Sequence, residues 1–150
     1  MMPEFDDFFL EPVENKSLND KIIRLRWSQK GSSYLFQPWQ MSDGTLRFLA
    51  LALVFLQPIP PSIIVIDGPE LGLNPESLNT LVGLIHEAAF KTQVILATQS
   101  PDLLRSMEPE NVIIVDMYNE ESKFKRLNRK NLSCWLKDYT LADLWWKKII

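Results

Sequence analysis

The segment Ser62-Ile63-Ile64-Val65-Ile66-Asp67-Gly68-Pro69 constrains the fold most. Consecutive β-branched side chains favour an extended backbone. Pro58, Pro60 and Pro61 end any helix that precedes it, and Gly68-Pro69 closes it. An unbroken apolar run of this length reads as a strand covered on both faces, the habit of parallel sheets. The run ends in Asp67, so a carboxylate stands at the strand's carboxyl edge. Open α/β sheets bind their ligands at that edge.

The flanking segments extend the pattern. Residues 1–20 mix acids, aromatics and prolines without a period and read as irregular chain or a short helix. Lys21 to Ser28 alternates, with Ile23, Leu25 and Trp27 on one face and Arg24 and Arg26 on the other, which predicts a strand. After the turn Gly31-Ser32-Ser33, Tyr34-Leu35-Phe36 is expected to return as its hairpin partner. Next, Met41-Ser42-Asp43-Gly44-Thr45 leads into a leucine- and alanine-rich stretch ending at Leu56. That composition predicts a helix, and its apolar character nearly all round predicts a buried one. Glu76 to Phe90 has helical spacing, with Leu78, Leu81, Val82, Ile85 and Ala89 on one side. Gln93–Thr98 and Asn111–Asp116 read as two further buried strands. Strands alternating with helices imply a parallel sheet. Ser122–Leu127 alternates and is expected to pair antiparallel after the turn Asn119-Glu120-Glu121. Asn128–Asp138 and Leu141–Lys148 read as two closing helices.

The 150 residues suit one α/β domain, with strands over 1–37 and the ligand-bearing elements over 38–150. A hydrophobic fraction of 46% supports a real core. The net charge of −3 gives no global attraction to nucleic acid or to anionic membrane. The longest apolar run, Phe48 to Leu56, is far short of the roughly 20 residues that span a bilayer. The N-terminus lacks the basic-then-apolar pattern of a secretory signal. Cys134 is the single cysteine, so no internal disulfide forms, and a reducing cytoplasm is the simplest home.

Three segments carry side chains suited to chemistry. Ser42, Asp43, Gly44 and Thr45 open a helix, and free N–H groups with a hydroxyl at such a start suit phosphate. The same residues serve as a plain helix cap. Asp67 suits Mg²⁺, which takes one or two carboxylates with water and phosphate oxygens. It equally suits a turn before Gly-Pro. Val94-Ile95-Leu96-Ala97-Thr98-Gln99-Ser100-Pro101 brings polar side chains to the end of a second strand. Gln99 can donate to a phosphate oxygen or to water. Ser100 can cap the short helix that Pro101 opens.

In combination and order, these segments resemble the C-terminal half of ABC-type ATPase heads, the group of RecF, the SMC proteins and the related bacterial AAA-family ATPases. The match runs through Met41 to Leu51, the Walker B phrase Ile63 to Glu70, the loop Leu71-Gly72-Leu73-Asn74-Pro75 and Ala97 to Pro101. It extends to Trp135-Leu136-Lys137-Asp138-Tyr139 and Leu144-Trp145. The resemblance implies a partial P-loop NTPase lobe: a mainly parallel sheet flanked by helices, with an N-terminal antiparallel hairpin. It implies ATP and Mg²⁺ as cofactors and a dimer of heads that sandwiches the nucleotide. Ser42, Asp43, Gly44 and Thr45 would face the ATP of the opposing head, and Asp67 would serve the metal. Leu71, Gly72, Leu73 and Asn74 would form the dimer loop, and Gln99 would take the switch position.

The sequence departs from that pattern twice. It holds no Gly-x-x-x-x-Gly-Lys-Ser/Thr, the loop that cradles phosphate. Gly68 sits where the family usually has the glutamate that polarises water, and glycine offers no base. Glu70 is the one nearby substitute. Two readings follow: an ATPase lobe that needs a Walker A-bearing partner, or a non-catalytic module or truncated remnant that pairs with an intact ATPase. Restoring a glutamate at 68 in a reconstituted pair is expected to raise turnover. Lys123, Lys125, Arg126, Arg129 and Lys130 are the densest basic stretch. They read as the wet face of a strand, as alternating basic residues usually do, with a nucleic-acid edge as the alternative. His86 reads as solvated, Cys134 as packed, and Arg47 as either a phosphate contact or a snorkelling side chain.

Overall fold

The computed structural model describes residues 5–15 and 20–150. They divide into two compact units. The first takes the described residues up to Pro60 and Leu71–Leu81, and the second takes Pro61–Glu70 and Val82–Ile150.

In the first unit, β1 (Phe5–Asn15) pairs antiparallel with β2 (Asp20–Gln29). The expectation of irregular chain or helix over 1–20 is therefore corrected for its described part; residues 1–4 and 16–19 lie outside the described residues. The N-terminal hairpin is present, but β1 supplies most of its pairing. The expected return strand at 34–36 is reduced to one antiparallel bridge, Phe36 to Trp27. That bridge is well used. Trp27 is 3% exposed, stacks on Phe36 with ring centroids 4.6 Å apart, and donates its indole N–H to the Gln37 carbonyl at 3.1 Å. Across the hairpin, Arg26 pairs with Glu11 at 3.4 Å.

Helix α1 (Asp43–Phe55) forms where leucine and alanine predict it. It buries Phe48, Leu51, Ala52 and Phe55 on one stripe. Leu53 is exposed, so the expectation of burial all round is corrected: within this chain only one face is covered. The next helix, α2 (Pro75–Ala88), buries Leu78 and Leu81 in its first half and Ile85 and Ala88 in its second.

In the second unit, β3 (Ile63–Asp67) runs parallel to β4 (Gln93–Ala97), with Val65 opposite Ile95 and Asp67 opposite Ala97. Only one face of this pair is covered. Ile64 is buried, while Ile63, Val65 and Ile95 are 52%, 69% and 47% exposed. An all-apolar run therefore overstated the cover. The expected third parallel strand is also corrected. Strand β5 (Ile113–Tyr118) pairs with β6 (Glu121–Arg126) as the expected antiparallel hairpin, but the two form a sheet of their own and do not extend the parallel pair. Its turn places Asn119 and Glu120 at φ 50° and 65°, the two left-handed residues that a tight hairpin needs.

A short helix α3 (Pro101–Arg105) follows β4. The first closing helix is shorter than expected. It splits into α4 (Arg129–Leu132) and a 3₁₀ turn at Trp135–Lys137. The second is α5 (Leu141–Trp146). Val112, Leu127, Leu132, Leu141 and Leu144 form the core here, with Leu104, Met107 and Ile114 packed on it. Burying a leucine completely, as at Leu144, contributes about 1.5–3 kcal/mol. Thr140 and Asp143 close a reciprocal capping box at the start of α5. The Thr140 hydroxyl and N–H both donate to Asp143, at 2.6 and 2.8 Å, and hold its carboxyl below the ordinary range. Cys134 is exposed rather than packed. Among the described residues no helix is long and apolar enough to cross a membrane.

Candidate functional site

The first unit brings together the turn before α1 and the loop after Glu70. Ser42 is the N-cap of α1, and its hydroxyl accepts from the Thr45 N–H at 3.1 Å. The Ser42 and Thr45 hydroxyls also share a hydrogen bond of 2.8 Å. Asp43 lies in the first turn, where a carboxylate suits the helix dipole. A Cβ placed on Gly44 would lie 2.3 Å from the Gly72 carbonyl oxygen. Glycine is required there because backbone passes where a side chain would be. Gly72 itself has φ 76°, a left-handed conformation that glycine adopts without penalty. Leu71 is exposed and Leu73 half-buried. Asn74 accepts the Ser77 N–H through its side-chain oxygen at 2.8 Å and so caps α2.

The second unit brings Asp67, Gly68, Glu70 and Gln99 to one edge, where β3 and β4 end side by side. Asp67 is exposed at the strand terminus. The Gly68 N–H donates to the Ala97 carbonyl at 2.8 Å and carries the ladder one step past the strand. Gly68 has φ 56°. A glutamate here would have to take a left-handed backbone, at a cost of about 1–2 kcal/mol. Introducing an acid at 68 is therefore not a simple exchange.

Glu70 Oε1 accepts from the Gln99 N–H at 3.4 Å, and Oε2 is buried with no hydrogen-bond partner. Thr98 Oγ1 accepts the Ser100 N–H at 3.0 Å, and Ser100 caps α3 through Leu103 N–H at 3.3 Å, as expected. The Gln99 side chain is exposed.

Among the described residues no three His, Cys, Asp or Glu side chains gather into a cage for a metal ion. Asp67 offers a single exposed carboxylate. That donor fits an ion held mostly by phosphate and water oxygens, as Mg²⁺ commonly is, and does not fit one caged by protein.

The basic stretch is largely committed to its own chain. Arg126 donates to the Glu110 carbonyl at 2.8 Å, Arg129 pairs with Glu108, and Lys123 lies 4.4 Å from the centre of the Tyr118 ring. His86 is exposed on α2.

Sequence reasoning missed two links: Gly44 against Gly72, and Glu70 to the Gln99 backbone. The second was within reach. Asp-Gly-Pro-Glu and Thr-Gln-Ser each follow a strand of one parallel pair, so their turns must be neighbours. The first is a contact between distant loops that no local pattern encodes.

With this geometry in place, comparison with known proteins is decisive. The model of a family described as "AAA domain, putative AbiEii toxin, Type IV TA system" matches residues 3–105. The chain belongs to that AAA-domain family. Curated relatives include the energy-coupling factor transporter ATP-binding protein EcfA2 of two Staphylococcus epidermidis strains, each 26% identical over 121 residues. That match covers 78% of this chain and 40% of each relative, so the AAA-domain chain spans less than half their length. Solved structures show the same fold. One, from work on ATP-driven dimerization and DNA-stimulated activation of SMC ATPases, has a TM-score of 0.62 at 18% identity and covers 91% of this chain and 81% of its own. An Smc head bound to the C-winged helix domain of ScpA has a TM-score of 0.67 at 19% identity, covering 86% and 39%. The Smc head of Pyrococcus furiosus has 0.65 at 18%, covering 91% and 34%. The AAA-domain chain thus has the P-loop NTPase-like α/β fold of ABC- and SMC-type heads, with the parallel strands limited here to β3 and β4.

Proposed function

We propose that this chain is the C-terminal lobe of an ABC-type ATP-binding head and works only with a second segment or polypeptide that carries a Gly-x-x-x-x-Gly-Lys-Ser/Thr loop. In this reading Ser42, Asp43, Gly44 and Thr45 face the ATP held by an opposing head. Asp67 serves Mg²⁺, which when bound neutralises charge on the phosphates. Leu71, Gly72, Leu73 and Asn74 form the dimer loop, and Gln99 takes the switch position. The observation that carries the reading is the edge of the parallel pair. There Asp67 ends β3 and Gln99 follows the end of β4 by two residues, both with exposed polar side chains, in a chain of the AAA-domain family.

A second reading is favoured by Gly68. With no base at that position and a backbone that resists one, the lobe serves as a non-catalytic partner that lends its helix turn to an intact head.

The purified chain is mixed with a family head that contains the phosphate loop, with Mg·ATP added or withheld. Association that needs Mg·ATP is expected, with no turnover above blank by the chain alone. Turnover by the chain alone, or association indifferent to nucleotide, contradicts the proposal. Turnover by the mixed pair separates the ATPase lobe from the non-catalytic partner.

A further inference from the structure

Parallel strands β3 and β4 stop in register, at Asp67 and Ala97. The last backbone bond between them runs from Gly68 N–H to the Ala97 carbonyl at 2.8 Å. Two residues later, the Gln99 N–H finds a side chain instead of a strand: it donates to Glu70 Oε1 at 3.4 Å, a long bond just past the usual range. Next to it, Thr98 Oγ1 holds the Ser100 N–H, and Ser100 Oγ holds the Leu103 N–H. The whole exit of β4 is thus pinned by side-chain oxygens. The side chain of Gln99 has no hydrogen bond of its own among the described residues.

Glu70 is badly disposed to be a base. One oxygen is on a backbone N–H, and the other is buried without a partner. A general base must reach the proton it removes, directly or through one water. A carboxylate folded onto the neighbouring strand's exit is suited to fixing backbone.

We infer that Glu70 is a positioning residue for Gln99: it straps the β4 exit so that the Gln99 amide is presented from a fixed backbone. The strap stands on the geometry of this edge alone. Its use at a nucleotide phosphate rests on the function proposed above.

Two measurements separate these layers. In the full chain, amide exchange at Gln99 is followed by NMR. Glu70→Ala speeds it about tenfold or more, whereas Glu70→Gln, whose amide oxygen accepts the same bond, stays within about threefold of wild type. Unchanged exchange in Glu70→Ala overturns the strap. In the pair with a phosphate-loop head, Glu70→Ala and Gln99→Ala each lower kcat with KM held, and the double variant loses no more than either single one. Glu70→Gln retains most turnover. If Glu70→Gln is as inactive as Glu70→Ala, the carboxylate acts in the chemistry itself and the inference fails. If no pair turns over ATP, wild type included, the ATPase-lobe reading fails, and amide exchange alone decides the strap.

Discussion

The turn before α1 and the edge of β3 and β4 carry the two halves of the family wording, and they use it differently. In the turn, the polar and glycine positions also hold the fold. Ser42 holds Thr45, Gly44 makes room for the Gly72 carbonyl, and Asn74 caps α2. At the strand edge, Glu70, Thr98 and Ser100 hold backbone, while Asp67 and Gln99 reach into solvent. A motif residue is thus not a ligand contact by virtue of its motif. The hydrogen bonds decide which side chains remain available.

The sharpest attempt to break this contrast is Gly44→Ala. A methyl 2.3 Å from a backbone oxygen cannot be absorbed by a rotamer change. The variant is expected to lose about 1–3 kcal/mol, seen as a lower urea midpoint. A neutral result would mean that the turn is as open as the strand edge.

A smaller effect tests a charged cap against a neutral one. Asp143 has its pKa lowered, first by the Thr140 hydroxyl, then by the Thr140 N–H, with Arg105 and Lys147 helping and desolvation opposing. A lowered folded-state pKa gives stability that is present above the usual carboxylate range and lost as pH falls through the folded value. Wild type should therefore exceed Asp143→Asn in thermal midpoint at neutral pH, with the gap closing in acid. Ser42→Ala should show a gap that does not close, because a hydroxyl cap does not titrate in that range. Parallel pH profiles for the two variants would erase the distinction.

The smallest expected effects are at the strand edge. Asp67→Asn and Gln99→Ala should change stability by no more than about 0.5 kcal/mol, as exposed positions without structural partners do. A larger loss in denaturant melts would show that these side chains are structural after all.

Much of the fold was legible. Helices α1 and α2, strands β3 and β4, and the β5–β6 hairpin with its turn at Asn119-Glu120 follow from period, proline stops and turn residues. Strand β1 was not. It contains Pro12 and several acids, and most of its described side chains are exposed, so burial never wrote an alternation into the sequence. Its pairing comes from β2, which only four residues separate from it, and no turn residues of a tight hairpin mark the connection. The run Ile63–Ile66 misled in the opposite sense. Hydrophobicity records what a surface can bury, and says nothing of whether both faces are covered within one chain. At the candidate site, strand order placed Asp67 and Gln99 together. The same order makes their turns neighbours, but which oxygen holds which N–H is not written in residue type or spacing.

The fit of Gly44 against the Gly72 carbonyl has a mechanical consequence. Backbone meets backbone there with no side chain between, so the 71–74 loop cannot shift toward the first turn of α1 without displacing it.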